Sequence, residues 1–145
     1  MTTESITNFI GKWELDPSQS AYEFGRPPLE GTYTIIYDGH RLHFIMDWKN
    51  EAGQSFQQIV EGVPDGEDHA YEGNPEFADA VCYTLVDAST LDSTAKKDGQ
   101  VVAFARRILE PGGERMRIVQ SGKTPEGEPF ENLSIYRRVT PAGGG

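Results

Sequence analysis

Apolar and polar residues alternate with a period of two along most of this chain, and turn residues interrupt the alternation at short, regular intervals. The interruptions fall at Asp38-Gly39, Asn50-Glu51-Ala52-Gly53, Pro64-Asp65-Gly66, Asn74-Pro75, Asp98-Gly99, Pro111-Gly112-Gly113 and Pro125-Glu126-Gly127. The runs between them are rich in Val, Ile, Thr, Tyr and Phe. Many short strands at such spacing predict an all-β sandwich or barrel. About ten strands are expected, near 11–16, 31–37, 40–49, 54–62, 69–73, 79–86, 91–97, 100–109, 115–121 and 130–139. Only 2–10 and 17–24 leave room for short helical turns. Residues 1–140 then form one domain, and the terminal 141–145 a flexible tail.

Asp-Gly is a favoured two-residue turn between antiparallel strands, because both central residues need positive φ. With such a turn at 38–39, Tyr37 opposes His40, Ile35 opposes Leu42 and Tyr33 opposes Phe44. Opposed residues share a face, so Tyr33, Ile35, Tyr37, Leu42, Phe44, Met46 and Trp48 turn towards the core. Burying these seven side chains at roughly 1.5–3 kcal/mol each contributes on the order of 10–20 kcal/mol. A one-residue slip would instead bury Arg41, Asp47 and Lys49. The same treatment of Asp98-Gly99 sets Ala95 opposite Val102, Ser93 opposite Phe104 and Leu91 opposite Arg106. Its inward face reads Leu91, Ser93, Ala95, Val102, Phe104 and Ile108, with Arg106 among them.

Composition narrows the function. The 145 residues include fifteen aromatics and carry a net charge of −10, unevenly placed. Residues 47–98 hold twelve acids against three bases, whereas 99–145 hold seven bases against five acids. An acidic surface repels phosphate backbones and anionic lipid, so no nucleic-acid or membrane partner is expected, and solubility is the simpler role for the charge. Cys82 is the only cysteine and lies in the apolar run Val81-Cys82-Tyr83, where a thiol behaves as a small hydrophobe. The opening "MTTESITNFIGKW" lacks the features of a signal peptide, and no apolar stretch reaches spanning length. A cytoplasmic protein is the expectation.

Chemical motifs are scarce. Gly122-Lys123-Thr124 is a fragment of a phosphate-binding loop, but Arg117 stands where that motif needs glycine, and Pro125, Gly127 and Pro129 bar the helix that must follow. Asn132-Leu133-Ser134 matches a glycosylation sequon inside an expected strand. His40 and His43 point to opposite faces if they lie on a strand, and with His69 they have no metal-ligand spacing, so no metal and no cofactor are expected. Arg106 stands out. An inward guanidinium stays ionised and needs an acid, water or an anionic ligand. Either the local register differs, or Arg106 snorkels to the barrel mouth, or it captures a carboxylate with help from Asn132, Ser134 or Tyr136.

Gly11-Lys12-Trp13 at the first strand and Tyr136-Arg137-Arg138 on the last resemble the opening motif and terminal basic residue of the calycin superfamily, the lipocalins and fatty-acid-binding proteins. The stretches "GKWELDPSQS", "GNPEFADAV", "KKDGQVVAFARR" and "GKTPEGEPFENLSIYRR" are more specifically similar to small bacterial lipocalin-like β-barrel proteins of unassigned function. The resemblance implies an antiparallel up-and-down barrel of about ten strands. It also implies that Trp13 plugs one end, with Gly11 allowing a close turn and Arg138 (Arg137 as the alternative) lying across the indole. The interior would bind a small hydrophobic or amphipathic molecule, a fatty-acid-like anion among them, lined by Tyr33, Ile35, Phe44, Met46, Trp48, Tyr83, Phe104 and Arg106, with Asn132 and Tyr136 contributing. The alternative is a barrel enzyme of isomerase or hydratase type, which needs an acid or base inside the cavity.

Overall fold

The computed structural model describes residues 6–25, 28–71, 75–124 and 126–139; the 141–145 tail lies outside them. The chain is all-β, with strands at Gly11–Leu15 (β1), Ala21–Tyr22 (β2), Glu30–Tyr37 (β3), Leu42–Lys49 (β4), Ser55–Gly62 (β5), Asp68–Ala70 (β6), Ala80–Asp87 (β7), Thr90–Lys97 (β8), Gln100–Leu109 (β9), Arg115–Lys123 (β10) and Pro129–Arg138 (β11). Ten of them form one antiparallel path, β5-β4-β3-β1-β11-β10-β9-β8-β7-β6, and β2 lies off it, paired to β11. This is a nearly closed up-and-down barrel. The alternation produced the strands, and their observed limits fall close to the expected ones. Two differences have simple causes. Within 17–24, a single 3-10 turn at Pro17–Gln19, capped by Asp16, leads into β2; two residues carry no periodicity that could announce a strand. The expected strand 69–73 is shorter, Asp68–Ala70, and residues 72–74 lie outside the described ones.

The two Asp-Gly hairpins depart from expectation in opposite ways. Between β3 and β4, Tyr37 pairs with Leu42, Ile35 with Phe44 and Tyr33 with Met46. The register is therefore two residues away from the one expected. Asp38 explains it: its carboxylate accepts the backbone N–H groups of His40 (2.9 Å) and Arg41 (2.7 Å), stabilising a longer loop. An even shift preserves the face, so Tyr33, Ile35, Leu42 and Phe44 are buried.

Between β8 and β9 the tight turn forms with both central residues at positive φ, Asp98 at 52° and Gly99 at 79°. Lys97 pairs with Gln100 and Lys96 with Val101, but then Ala95 pairs with Ala103. Val102 is an extra residue, a β-bulge. Beyond it every side chain of β9 faces opposite to expectation. Ala103, Ala105, Arg107 and Leu109 turn inward, while Phe104, Arg106 and Ile108 share the outer parity. Alternation could not reveal this, because β9 carries apolar residues at both parities.

The base of the barrel is solid. Trp13 is 0% exposed and packs with Phe9, Ile6, Ile35, Leu42 and Met116. Its indole N–H donates to the Phe9 carbonyl at 3.1 Å. The Arg138 guanidinium lies 4.2 Å from the Trp13 ring centroid and donates to the carbonyls of Asn8 (2.8 Å), Ile10 (2.8 Å) and Gly113 (2.9 Å). Such a contact contributes about 0.5–2 kcal/mol, more as it is desolvated. Gly11 sits at φ 138°, a conformation that side chains rarely adopt, and a Cβ there would stand 2.8 Å from Arg138 Nη1.

The other structural break is the seam between β5 and β6, the two ends of the strand path. Neither edge pairs with the other. The barrel wall is completed instead by Tyr83 of β7, whose ring rests on the bare backbone of Gly62 in β5; a Cβ on Gly62 would sit 2.0 Å from the ring.

Candidate functional site

Above the solid base lies a chamber of about 220 Å³. Strand β9 creates much of this space, because its bulge turns Ala103 and Ala105 inward instead of Val102 and Phe104. The opposite wall is aromatic. Tyr33 (β3), Phe44 (β4) and Tyr83 (β7) are all buried, with Phe44 and Tyr83 stacked at 5.3 Å and Tyr33 edge-on to Phe44 at 5.9 Å.

Into this cage β9 directs Arg107, which is 7% exposed. Its guanidinium carbon lies 4.7 Å from the Phe44 ring centroid. Nε donates to the Tyr33 hydroxyl (3.0 Å) and Nη1 to the Ser93 hydroxyl (3.2 Å). Both acceptors are neutral, and among the described residues no carboxylate forms an ion pair with Arg107. A buried cation held only by neutral oxygens and a π face retains a strong demand for an anion. Around it, burial pushes the Tyr83 hydroxyl up to about 12, the Arg107 charge opposing that shift. Burial also pushes Tyr136 well above the ordinary tyrosine value. Both phenols therefore remain hydrogen-bond donors at any physiological pH.

Arg106 is on the outside, a correction to the expected inward placement that follows from the bulge at Val102. Its side chain is 46% exposed and makes a two-pronged ion pair with Asp92, both bonds at 2.8 Å. Of the other residues expected to line the cavity, Tyr33, Phe44, Met46, Tyr83 and Phe104 border it, although Phe104 is half-buried and lies 5.8 Å from the Arg106 guanidinium. Ile35 is in the solid core instead. Trp48 does not border the chamber; it stacks on Phe56 at 5.5 Å and is paired with Gly31 across the β3–β4 ladder. Asn132 is committed elsewhere. Its side-chain oxygen accepts from the backbone of Glu23 and Phe24, and its amide donates to the Phe24 carbonyl. Tyr136 backs the cage through Tyr33, at 5.5 Å, without bordering the chamber. Reading alternation alone missed Arg107, yet one signal pointed to it: two consecutive arginines in a strand cannot both face solvent.

The chamber continues sideways. Gln58, Val60, Tyr71, Val81 and Tyr83 border both it and a groove of about 720 Å³ along the β5–β6 seam. Among the described residues no group of His, Cys, Asp and Glu could hold a metal ion, and no helix is long and apolar enough to cross a membrane.

Comparison with solved structures agrees with this geometry. The chain superposes on the fluorescent protein UnaG with a TM-score of 0.64 at 17% identity, covering 92% of this chain and 99% of that one. It superposes on apo lipid binding protein 8 of Caenorhabditis elegans with a TM-score of 0.64 at 16% identity, covering 95% and 100%. The chain shares with them an all-β, antiparallel, nearly closed barrel fold. Zebrafish ileal bile acid-binding protein, complexed with cholic acid, is more distant, with a TM-score of 0.53 at 14% identity over 91% and 99%. These likenesses concern the fold. By sequence, no family model and no curated protein matches the chain.

Proposed function

We propose that this barrel binds a small amphipathic molecule whose anionic head, a carboxylate, is taken up by Arg107. The observation that carries the reading is the buried guanidinium, facing a chamber with only neutral oxygens as described partners. The aromatic wall suits the apolar part of such a molecule. Two of the superposed proteins, by name a lipid-binding and a bile-acid-binding protein, are in keeping with it. An enzymatic role would need an acid or base in the chamber that titrates near neutrality. The titratable groups that border it among the described residues are tyrosines and Arg107, and Tyr83 at about 12 is unsuited to the task.

Calorimetric titration with octanoate and with octanol tests the proposal. Hydrogen bonds to a charged group contribute about 1.5–3 kcal/mol, so Arg107→Met should weaken octanoate by about ten- to a hundredfold and leave octanol nearly unchanged. Arg106→Met should alter neither. Octanoate binding equally well to both variants and the parent, or failing to bind the parent at all, would overturn the assignment.

A further inference from the structure

Resting on the head-group site at Arg107, we infer that the ligand is an elongated amphiphile whose chain leaves the barrel sideways, through the seam between β5 and β6, and lies in the groove outside. Capacity is the first argument. The 220 Å³ chamber lies below the roughly 300–1,000 Å³ usual for ligand pockets, so a long chain needs room beyond it. The base is no exit, because Trp13, Phe9 and Ile6 fill it.

The seam is an exit by construction. The strand path ends at β5 on one side and β6 on the other, so no ladder of backbone hydrogen bonds has to break for a chain to pass. Chamber and groove already share Val60, Tyr71, Val81 and Tyr83, an apolar passage wall. The groove extends this surface with Ile59, Val63 and Ala70. Its polar members Arg41 and Glu61 have side chains 46% and 44% exposed, His69 is 43% exposed and Gln58 is exposed as well, so their polar ends stay in water. At this passage Tyr83 rests directly on the Gly62 backbone, where no Cβ stands against the ring.

Chain length and a groove-filling variant test this together. Burial of each methylene is worth about 0.8 kcal/mol, close to a fourfold gain in affinity. For hexanoate, octanoate, decanoate and dodecanoate, affinity should keep rising through the series. Ala70→Trp fills the groove from an exposed position and should weaken dodecanoate by at least tenfold while leaving hexanoate within twofold. Independently of that variant, dodecanoate should shift the backbone amide resonances of residues 59–63 and 69–70 in the parent protein, and hexanoate should not. A plateau beyond hexanoate, equal losses for short and long acids in Ala70→Trp, or dodecanoate shifts centred on Gln120, which borders the chamber from β10, away from the seam, would each overturn the inference. Hexanoate affinity and its loss in Arg107→Met report separately on the head-group site, so the two ideas can fail independently.

Discussion

The β3–β4 and β8–β9 hairpins are built around the same dipeptide, yet Asp-Gly does different work in each. In the first, Asp38 uses its carboxylate to hold a longer loop, and the strands pair two residues away from the tight-turn register. In the second, Asp98 and Gly99 make the tight turn, and a bulge three residues later moves β9 out of phase. The first departure leaves every side chain on its expected face. The second exchanges inside and outside for the rest of the strand, and in doing so selects which of two arginines enters the barrel. Parity, not register, is what decides chemistry in a sheet. It is well protected in β3–β4, where one face is consistently apolar and the other mostly polar, Ile36 and Ile45 excepted, and poorly protected in β9.

Single-residue deletions give the sharpest contrast. Deletion of Thr34, inside the stretch of β3 that pairs with both β1 and β4, puts part of β3 out of phase with both neighbours, so no cooperatively folded protein is expected by circular dichroism and thermal melting. Deletion of Val102 removes the extra residue and lets Lys96–Val101 and Ala95–Ala103 follow one another in a regular ladder. It should lower Tm by no more than about 5 °C and leave octanoate binding intact. Loss of binding with the fold retained would mean that the bulge is needed to aim Arg107.

Next in size are two truncations at formally similar places. Phe44→Ala removes a buried ring from the chamber wall and should cost about 3–5 kcal/mol in denaturant unfolding. Phe104→Ala, on the half-buried outer side of β9, should cost about 1 kcal/mol or less. Equal losses would restore Phe104 to the interior and undo the assignment of faces.

The smallest effect concerns pH. His43 lies beside the first turn, 2.9 Å from Asp38 and 3.3 Å from Glu61. The hydrogen bond to Asp38, reinforced by Glu61, holds its pKa above the ordinary histidine value. Asp38 itself is held far below the usual carboxylate range, chiefly by the backbone N–H of Arg41, so it stays ionised throughout. A raised folded-state value means stabilisation that is complete below the unfolded pKa of about 6.5 and fades as pH rises through the folded value. His43→Gln should therefore reduce Tm more at about pH 5.5 than at about pH 8.5. A gap of the same size at both would show that the contact is not ionic. No counterpart is expected at the second turn.

These contrasts also show what was legible before the coordinates. Tyr33, Ile35, Leu42 and Phe44 were readable as inward because four apolar residues on one parity leave little alternative. Gly11, Trp13 and Arg138 were readable as a group by resemblance, and they come together at the base. Arg107 was not readable from alternation, since Ala103 and Ala105 are too small to outvote Phe104 and Ile108; only the Arg106-Arg107 pair hinted that one of the two must turn inward. The commitment of Asn132 to the backbone at Glu23 and Phe24 was equally hidden, because it depends on contacts between segments more than a hundred positions apart. The seam had no sequence signal either: it is defined by which strands end the path, a property of the whole barrel.

Arg138 gives the chain a constraint in time as well as in space. Its guanidinium ties carbonyls at positions 8, 10 and 113, and β11 supplies the neighbour of β1 opposite β3. On the ribosome, the first tryptophan is made early and must wait for nearly the last strand before its cover exists. Until then the greasy floor of the vessel is unfinished, and a chain that stopped short of residue 138 would be left without it.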